Sequence, residues 1–372
     1  MTIHAVPFGA RLAAMEAGAE RPIGWEPRWL QALRGAQRAL TAACWANLVA
    51  VTAGWAGVYL LGDRWWLATV MLFSPRWLWA VPGLVLLALA VLFHRWALLP
   101  LVAALVVVLF GPMGLSLPWR PLGGSGRAPL TVISLNCQGQ AARPAQLRAL
   151  ITDVLADAVA LQECDYPDDL LRHEVFPDGW YLQRKGRLVI ASPYPVTATR
   201  IHRQEYPVIR WPRVDALYCI LDRPSGAIGF ASLHLRTPRD GLSRVLNRAT
   251  VVDPRQAPAL ERDIALRRLE CEQLGAWFEQ FDGPLIIAGD LNMPADSAIY
   301  RDTWSWLDNA FSQAGFGFGY TKITPVIGIE FGLRIDHVLF DEHWDAVRAW
   351  TGEDIGSDHV PVIAKLVQVK DQ

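Results

Sequence analysis

The stretch PLIIAGDLNMP, residues 284–294, decides how the C-terminal part of the chain is read. Leu285 to Ala288 is short, apolar throughout and preceded by Gly283 and Pro284, the pattern of a buried strand. Asp290 and Asn292 follow at once, where a rigid sheet hands reactive side chains to a loop. Working outward, the same arrangement recurs. LTVISLN ends in Asn136, AVALQE ends in Glu163, and SLHLRTP carries His234. Downstream, RIDHVLF is interrupted by Asp336 and His337, and GSDHVP carries Asp358 and His359. Each has an ordinary structural reading alone: Asn136 as a turn former, Asp290 and Asn292 as a helix cap, His234 as a hydrogen-bonded core histidine. Glu163, directly after an apolar strand, is costly unless it meets a cation or a donor. Six such interruptions in succession point to one shared site.

The remainder of the chain is a different object. With 372 residues, 52% apolar and 19% charged, the sequence is too hydrophobic for wholesale disorder, and a net charge of −1 does not suggest a basic nucleic-acid clamp. Residues 1–126 carry 9 basic against 4 acidic residues, whereas the rest carries 26 against 32. Ten of the 17 Trp fall before residue 120. Ala39 to Gly62 holds no charge over 24 residues, and at about 1.5 Å per residue such a helix exceeds a hydrocarbon core of roughly 30 Å.

Trp77–Phe93 and Trp96–Trp119 are two more uncharged runs, read as a tight transmembrane hairpin. The expected organisation is a tail at 1–38, a membrane region at 39–119 with three spans (39–62, 77–93 and 96–119), a Gly/Ser/Pro linker at 120–129, and a catalytic domain at 130–372. Trp65–Ser74 is too short to span and reads as an interfacial or partly inserted segment. With three spans the chain ends lie on opposite sides, and Arg11 and Arg21 tip the N-terminus toward the cytoplasm. The protein is therefore expected in the inner or plasma membrane, its catalytic domain extracytoplasmic. The five scattered Cys read as unpaired core residues.

The blocks SLNCQG, LQECD, SLHLRTP, GDLNMP, RIDHV and GSDHVP, in that order, resemble the endonuclease/exonuclease/phosphatase superfamily over roughly Leu130 to Val369. The chain looks like a membrane-anchored member of bacterial type. The resemblance implies an α/β fold of the deoxyribonuclease-I-like kind, a two-sheet β-sandwich flanked by helices, and a Mg²⁺-dependent phosphoester hydrolase, with Mn²⁺ as a substitute. It further implies that Glu163, aided by Asn136, holds the metal, with Asp358 an additional carboxylate nearby. Asp290 would orient or deprotonate water, Asn292 would hold water or a phosphoryl oxygen, and His234 would donate to a phosphoryl oxygen. His359 would bind the phosphoryl group or move a proton, with Asp336 fixing its tautomer and favouring its charged form. Residue type leaves open whether Asp290 or His359 is the general base; Asp290 is preferred. His337, next to Asp336 on a strand, must face the other way and reads as structural.

The family leaves the substrate open among nucleic acid, nucleotide and phospholipid headgroup. The acidic domain argues against long polynucleotides. Arg236 and Arg239, following His234, are the candidate substrate-binding cations. A phospholipid- or inositol-phosphate-directed phosphatase or phosphodiesterase is the alternative reading, and a catalytically decayed, membrane-anchored binding module a further one. The bilayer is an expected partner, and no protein partner is evident.

Overall fold

The structure is a computed structural model that describes residues 27–118, 129–204, 213–246, 252–326 and 328–369. The chain divides into two compact units, Met1–Val49 with Pro82–Ala104 and Ala50–Val81 with Leu105–Gln372. Most of the linker expected at 120–129, and most of the tail, lie outside the described residues.

In the first unit, Cys44, Ala90, Ala97 and Leu101 form a small packed cluster joined by Leu40, Leu86 and Leu98. Leu84, Val85, Leu92, Leu99 and Val102 are left exposed. Three helices carry the apolar sequence: α1 (Arg28–Leu61), α3 (Val81–Phe93, extended at its start by a 3₁₀ turn from Arg76) and α4 (Leu98–Phe110). Two helices are long and apolar enough to cross a membrane, Arg28–Leu61 and Arg76–Phe93; Arg95–Phe110 is shorter. The first run is thus helical from Arg28 rather than from residue 39. The third run does not stay helical to Trp119 as expected, because Gly111 and Pro112 end it after Phe110. Ser116 then pairs with Gly317.

The segment expected at the interface is helical as well, α2 (Trp66–Leu72), and one of its faces packs into the catalytic fold. Ala68, Thr69, Val70 and Leu72 are buried, and Val70 belongs to the same core cluster as Leu274 and Phe278 of the catalytic fold. Polar bonds anchor both flanks of α2: Arg267 reaches Asp63 at 2.6 Å with both side chains fully buried, and Arg76 reaches Asp296 at 2.8 Å.

The second unit contains two six-stranded sheets. One consists of β1 (Leu130–Gly139), β2 (Ala158–Cys164), β3 (Tyr181–Lys185), β4 (Leu188–Ser192), β13 (Trp344–Thr351) and β14 (Val362–Gln368), ordered β13-β14-β1-β2-β4-β3. The other consists of β5 (Val196–Gln204), β6 (Arg213–Arg223), β7 (Gly226–His234), β8 (Leu285–Asp290), β9 (Asp308–Asn309) and β12 (Asp336–Phe340), ordered β5-β6-β7-β8-β12-β9. A separate hairpin is formed by β10 (Lys322–Val326) and β11 (Ile329–Leu333). Val132, Ala160, Ile190, Phe230, Ile286 and Val338 belong to the apolar layer between the sheets. Helices flank them, including α5 (Pro144–Asp153), α6 (Arg239–Val245) and α7 (Ala257–Phe278). This is the two-sheet, helix-flanked fold expected from the sequence. All five Cys are free and buried.

Candidate active site

Strand register brings the site together. β7 runs parallel to β8 with His234 opposite Asp290, and β12 runs antiparallel to β8 with Asp336 opposite Asp290. Three adjacent strands therefore deliver His234, Asp290 and Asp336 side by side at one sheet end. Gly289 permits the approach: a Cβ there would lie 1.9 Å from the Leu233 carbonyl oxygen. The other sheet contributes Asn136 and Glu163 from β1 and β2, and the loop before β14 contributes His359. Gln162, the residue before Glu163, is fully buried and donates to Ser232 Oγ at 3.1 Å, tying the two sheets together beneath the site.

The polar contacts are close. Asn136 Nδ2 donates to Asp290 Oδ2 at 2.9 Å and lies 3.4 Å from Glu163 Oε1. His234 Nε2 lies 3.4 Å from Glu163 Oε1 and 3.7 Å from Asp290 Oδ2. His359 Nδ1 is 2.8 Å from Asp336 Oδ2, and its Nε2 is 3.9 Å from Asp290 Oδ2. The Asn292 backbone N–H donates to Asp290 Oδ1, while its side chain donates to the Leu235 carbonyl. Ser357 Oγ donates to the Asn136 carbonyl and accepts from the His359 N–H, so the block around residue 359 is bolted to the end of β1. Glu163 and Asn292 hold left-handed φ values of 47° and 51°, strained for non-glycine residues, and both belong to the cluster.

Burial and charge set the protonation states. Burial of His359 opposes its charge, but Asp336 and then Asp290 outweigh it and hold the imidazole up at about 9. Burial, and then repulsion from Asp336, raises the Asp290 carboxyl above the ordinary range, against the pull of His359 and His234. At neutral pH the geometry thus pairs a charged donor, His359, with a carboxylate of raised basicity, Asp290.

A divalent ion suits the donor set. Asp290, Asp336 and His359 can bring ligand atoms within 4.8 Å of one another, and Asp336 Oδ1 has no hydrogen-bond partner among the described residues. Glu163 adds a partly exposed carboxylate at the cleft. Its cationic neighbour Arg187 is 3.5 Å away and also engaged with Asp165. Hard oxygen donors beside an unsatisfied carboxylate suit a divalent cation.

Not every expected side chain joins the cluster in the expected way. The Asn136 amide oxygen accepts from the Gln138 N–H, so its nitrogen faces the carboxylates. Asp358 is paired with Lys322. The Arg236 guanidinium turns to Asp263 at 2.9 Å instead of lining the cleft, whereas Arg239 lines it. His337 faces away as expected: it is buried, with Nδ1 2.9 Å from Asn309 Nδ2 and Nε2 3.0 Å from the Met293 carbonyl oxygen. Sequence reasoning missed Arg187, Lys322 and Phe73, which also line the cleft. Their signal lay only in tertiary proximity, since none sits in a block that marks the site.

The Endonuclease/Exonuclease/phosphatase family model matches residues 133–359, more than half of the chain. The chain belongs to this family and is a phosphoester-hydrolysing enzyme of it. Similar solved structures include a family protein from Leptotrichia buccalis C-1013-b, at 15% identity, 64% of this chain, 99% of that one and a TM-score of 0.46. D. rerio TDP2 complexed with single-strand DNA product matches at 15% identity, 65% and 100% coverage and a TM-score of 0.47. A 3′ phosphatase from Neisseria bound to product DNA hairpin matches at 17% identity, 63% and 98% coverage and a TM-score of 0.44. None of the curated proteins matches the chain.

Proposed function

We propose that this chain is a membrane-anchored, Mg²⁺-dependent phosphoester hydrolase of the phosphodiesterase type. The observation that carries the chemistry is the convergence of Glu163, Asn136, His234, Asp290 and the His359–Asp336 pair on one cleft. Glu163 is the principal metal ligand in this reading, with Asn136 beside it. A bound Mg²⁺ would neutralise charge at the phosphoryl oxygens. Asp290, its basicity raised by burial, holds the attacking water and takes its proton. His359, charged and oriented by Asp336, donates to a phosphoryl oxygen, as does His234. Asn292, bonded through its backbone to Asp290, fixes the loop that positions the base.

Membrane anchoring rests on the exposed apolar helices, which need hydrocarbon around them. Residues on both sides of the hairpin are tied to the catalytic fold. Arg76 bonds Asp296 and the Pro112 carbonyl, and Tyr320 donates to the Met113 carbonyl. Counting the shorter Arg95–Phe110 as the return arm of a hairpin with Arg76–Phe93, the crossings would be odd in number and the two chain ends would lie on opposite sides. Positive charges near the N-terminus then favour an extracytoplasmic catalytic domain.

The test is hydrolysis of bis(p-nitrophenyl) phosphate by the detergent-purified full chain, with Mg²⁺ and then with excess chelator. Activity that depends on the metal and disappears in Asp290→Ala is the expected result. Full activity in chelator, or in Asp290→Ala, would defeat the assignment.

A further inference from the structure

We propose that the substrate is a lipid: a phosphoester whose alcohol carries a hydrocarbon chain, taken from the bilayer surface, with the chain lying along an apolar wall of the catalytic cleft. This deepens the hydrolase reading above and rests on it.

The cleft that holds the catalytic cluster has a volume of about 660 Å³. That is within the range of pockets that take a sizeable organic group as well as a polar head. Phe73, Leu242, Leu246, Ile323, Phe331 and Ile335 line the same cleft as Glu163, His234 and Asp290. They come from separate places: the end of α2, α6 and the residue after it, the β10–β11 hairpin, and the approach to β12. A site for a fully polar phosphoester gains nothing from so much apolar surface, whereas each buried methylene of a tail tightens binding about fourfold. Apolar exposure continues on the elements that supply this lining. Leu246 is 41% exposed, and Ile329, on the hairpin that supplies Ile323 and Phe331, is 52% exposed.

Charge points the same way. Of the cations lining the cleft, Arg187 is engaged with Asp165 and Glu163, and Lys322 with Asp358. Arg239 lines the cleft without an ion pair among the described residues. One such cation serves a single headgroup phosphate; a polynucleotide that binds through successive phosphates needs several.

Phe73 links the wall to the lipid. It ends the short helix between the two membrane-crossing candidates and lies three residues before Arg76, where the second begins. Three residues reach at most about 11 Å even when extended. A side chain of the cleft is therefore tethered within that distance of a span, and a phosphate in the headgroup layer is close at hand. Phe73 is also firmly seated. Its N–H bonds the Thr69 carbonyl at 3.1 Å, and the Arg267 guanidinium lies 5.4 Å over its ring. Arg267 in turn donates to the Asn292 carbonyl and to Asp63, so one buried cation supports both the apolar wall and the catalytic loop. In the reaction, the water oxygen bonds phosphorus and one P–O ester bond breaks. Asp290 takes the water's proton, and the departing ester oxygen leaves with the electron pair and is protonated, giving an alcohol and a phosphomonoester.

The experiment uses the full chain in nonionic detergent micelles with Mg²⁺ and two chromogenic diesters of equal reactivity, p-nitrophenyl methyl phosphate and p-nitrophenyl hexadecyl phosphate. A single-stranded oligonucleotide is the third substrate. The expected result is a kcat/KM about 100-fold higher for the hexadecyl than for the methyl ester, rising through a series of intermediate chain lengths. Phe73→Ser and Phe331→Ser should each lower that ratio about tenfold. Equal turnover of the two esters, a ratio untouched by both substitutions, or preferential cleavage of the oligonucleotide would overturn the proposal while leaving the hydrolase reading intact. Silence on all three substrates would overturn the hydrolase reading itself, and this one with it.

Discussion

Two of the sets of buried carboxylates in this fold are treated in opposite ways. Asp63, at the junction between α1 and α2, is fully buried and fully answered: Arg267 Nη1 donates to one oxygen at 2.6 Å, Ser297 Oγ to the other at 2.6 Å, and its own N–H meets Thr69 Oγ1. At the strand ends, Asp290 and Asp336 are equally buried, yet Asp336 Oδ1 has no hydrogen-bond partner among the described residues and Asp290 is pushed toward its protonated form. A satisfied buried carboxylate holds structure; one left short of partners is set up to meet a proton, a cation or a substrate. The difference separates the part of the molecule that holds α2 in the fold from the strand-end cluster proposed for the chemistry.

The largest effect that would break this contrast lies at the strand ends. His359→Ala and Asp290→Ala should each lower kcat by about 10³-fold or more, and the double variant little further, because the residues act as a unit. Additive losses in single-turnover measurements would show that they act separately. The junction should respond in stability instead. Arg267→Met leaves Asp63 buried and uncompensated and should cost about 3 kcal/mol or more of unfolding free energy, whereas Arg64→Met, breaking a half-exposed pair with Asp302, should cost about 1 kcal/mol or less. Equal melting temperatures for the two variants would contradict the distinction.

Glu163→Gln sharpens the metal assignment. The Mg²⁺ concentration for half-maximal activity should rise about tenfold or more, with the rate at saturating metal much less affected. An unchanged metal requirement would move the ligand role to Asp290 and Asp336.

The smallest effect concerns His337. Burial, and then the charge of Arg334, pushes its imidazole down from 6.5 to about 3, so it is neutral when folded, donating from Nε2 to Met293 and accepting from Asn309. A base whose folded pKa is depressed adds stability that is present above about 6.5 and lost as pH falls from there toward 3. The melting temperature of His337→Gln should therefore fall less steeply than wild type between pH 6.5 and 4. Parallel curves would remove His337 as a source of acid sensitivity.

The amino-acid sequence by itself determined the strands that carry Asn136, Glu163, His234 and Asp290 at or near their C-terminal ends. A short apolar run closed by a polar residue is a local pattern, and strand periodicity alone separates Asp336 from His337. It also determined that the helices holding the apolar runs of α1 and from Trp77 are long and apolar enough to cross a membrane. What only the tertiary structure decided was pairing. Nothing within the GDLN or RTP blocks says that Arg236 goes to Asp263, that Lys322 meets Asp358, or that Asp63 closes on Arg267. Those partners are far apart in the chain and identified only by where the folded backbone puts them. The same holds for Trp66–Leu72, whose composition suits a lipid interface and a protein core alike. Its Val70 shares a buried cluster with Leu274 and Phe278, which makes this face core, because hydrophobic burial follows area and not identity.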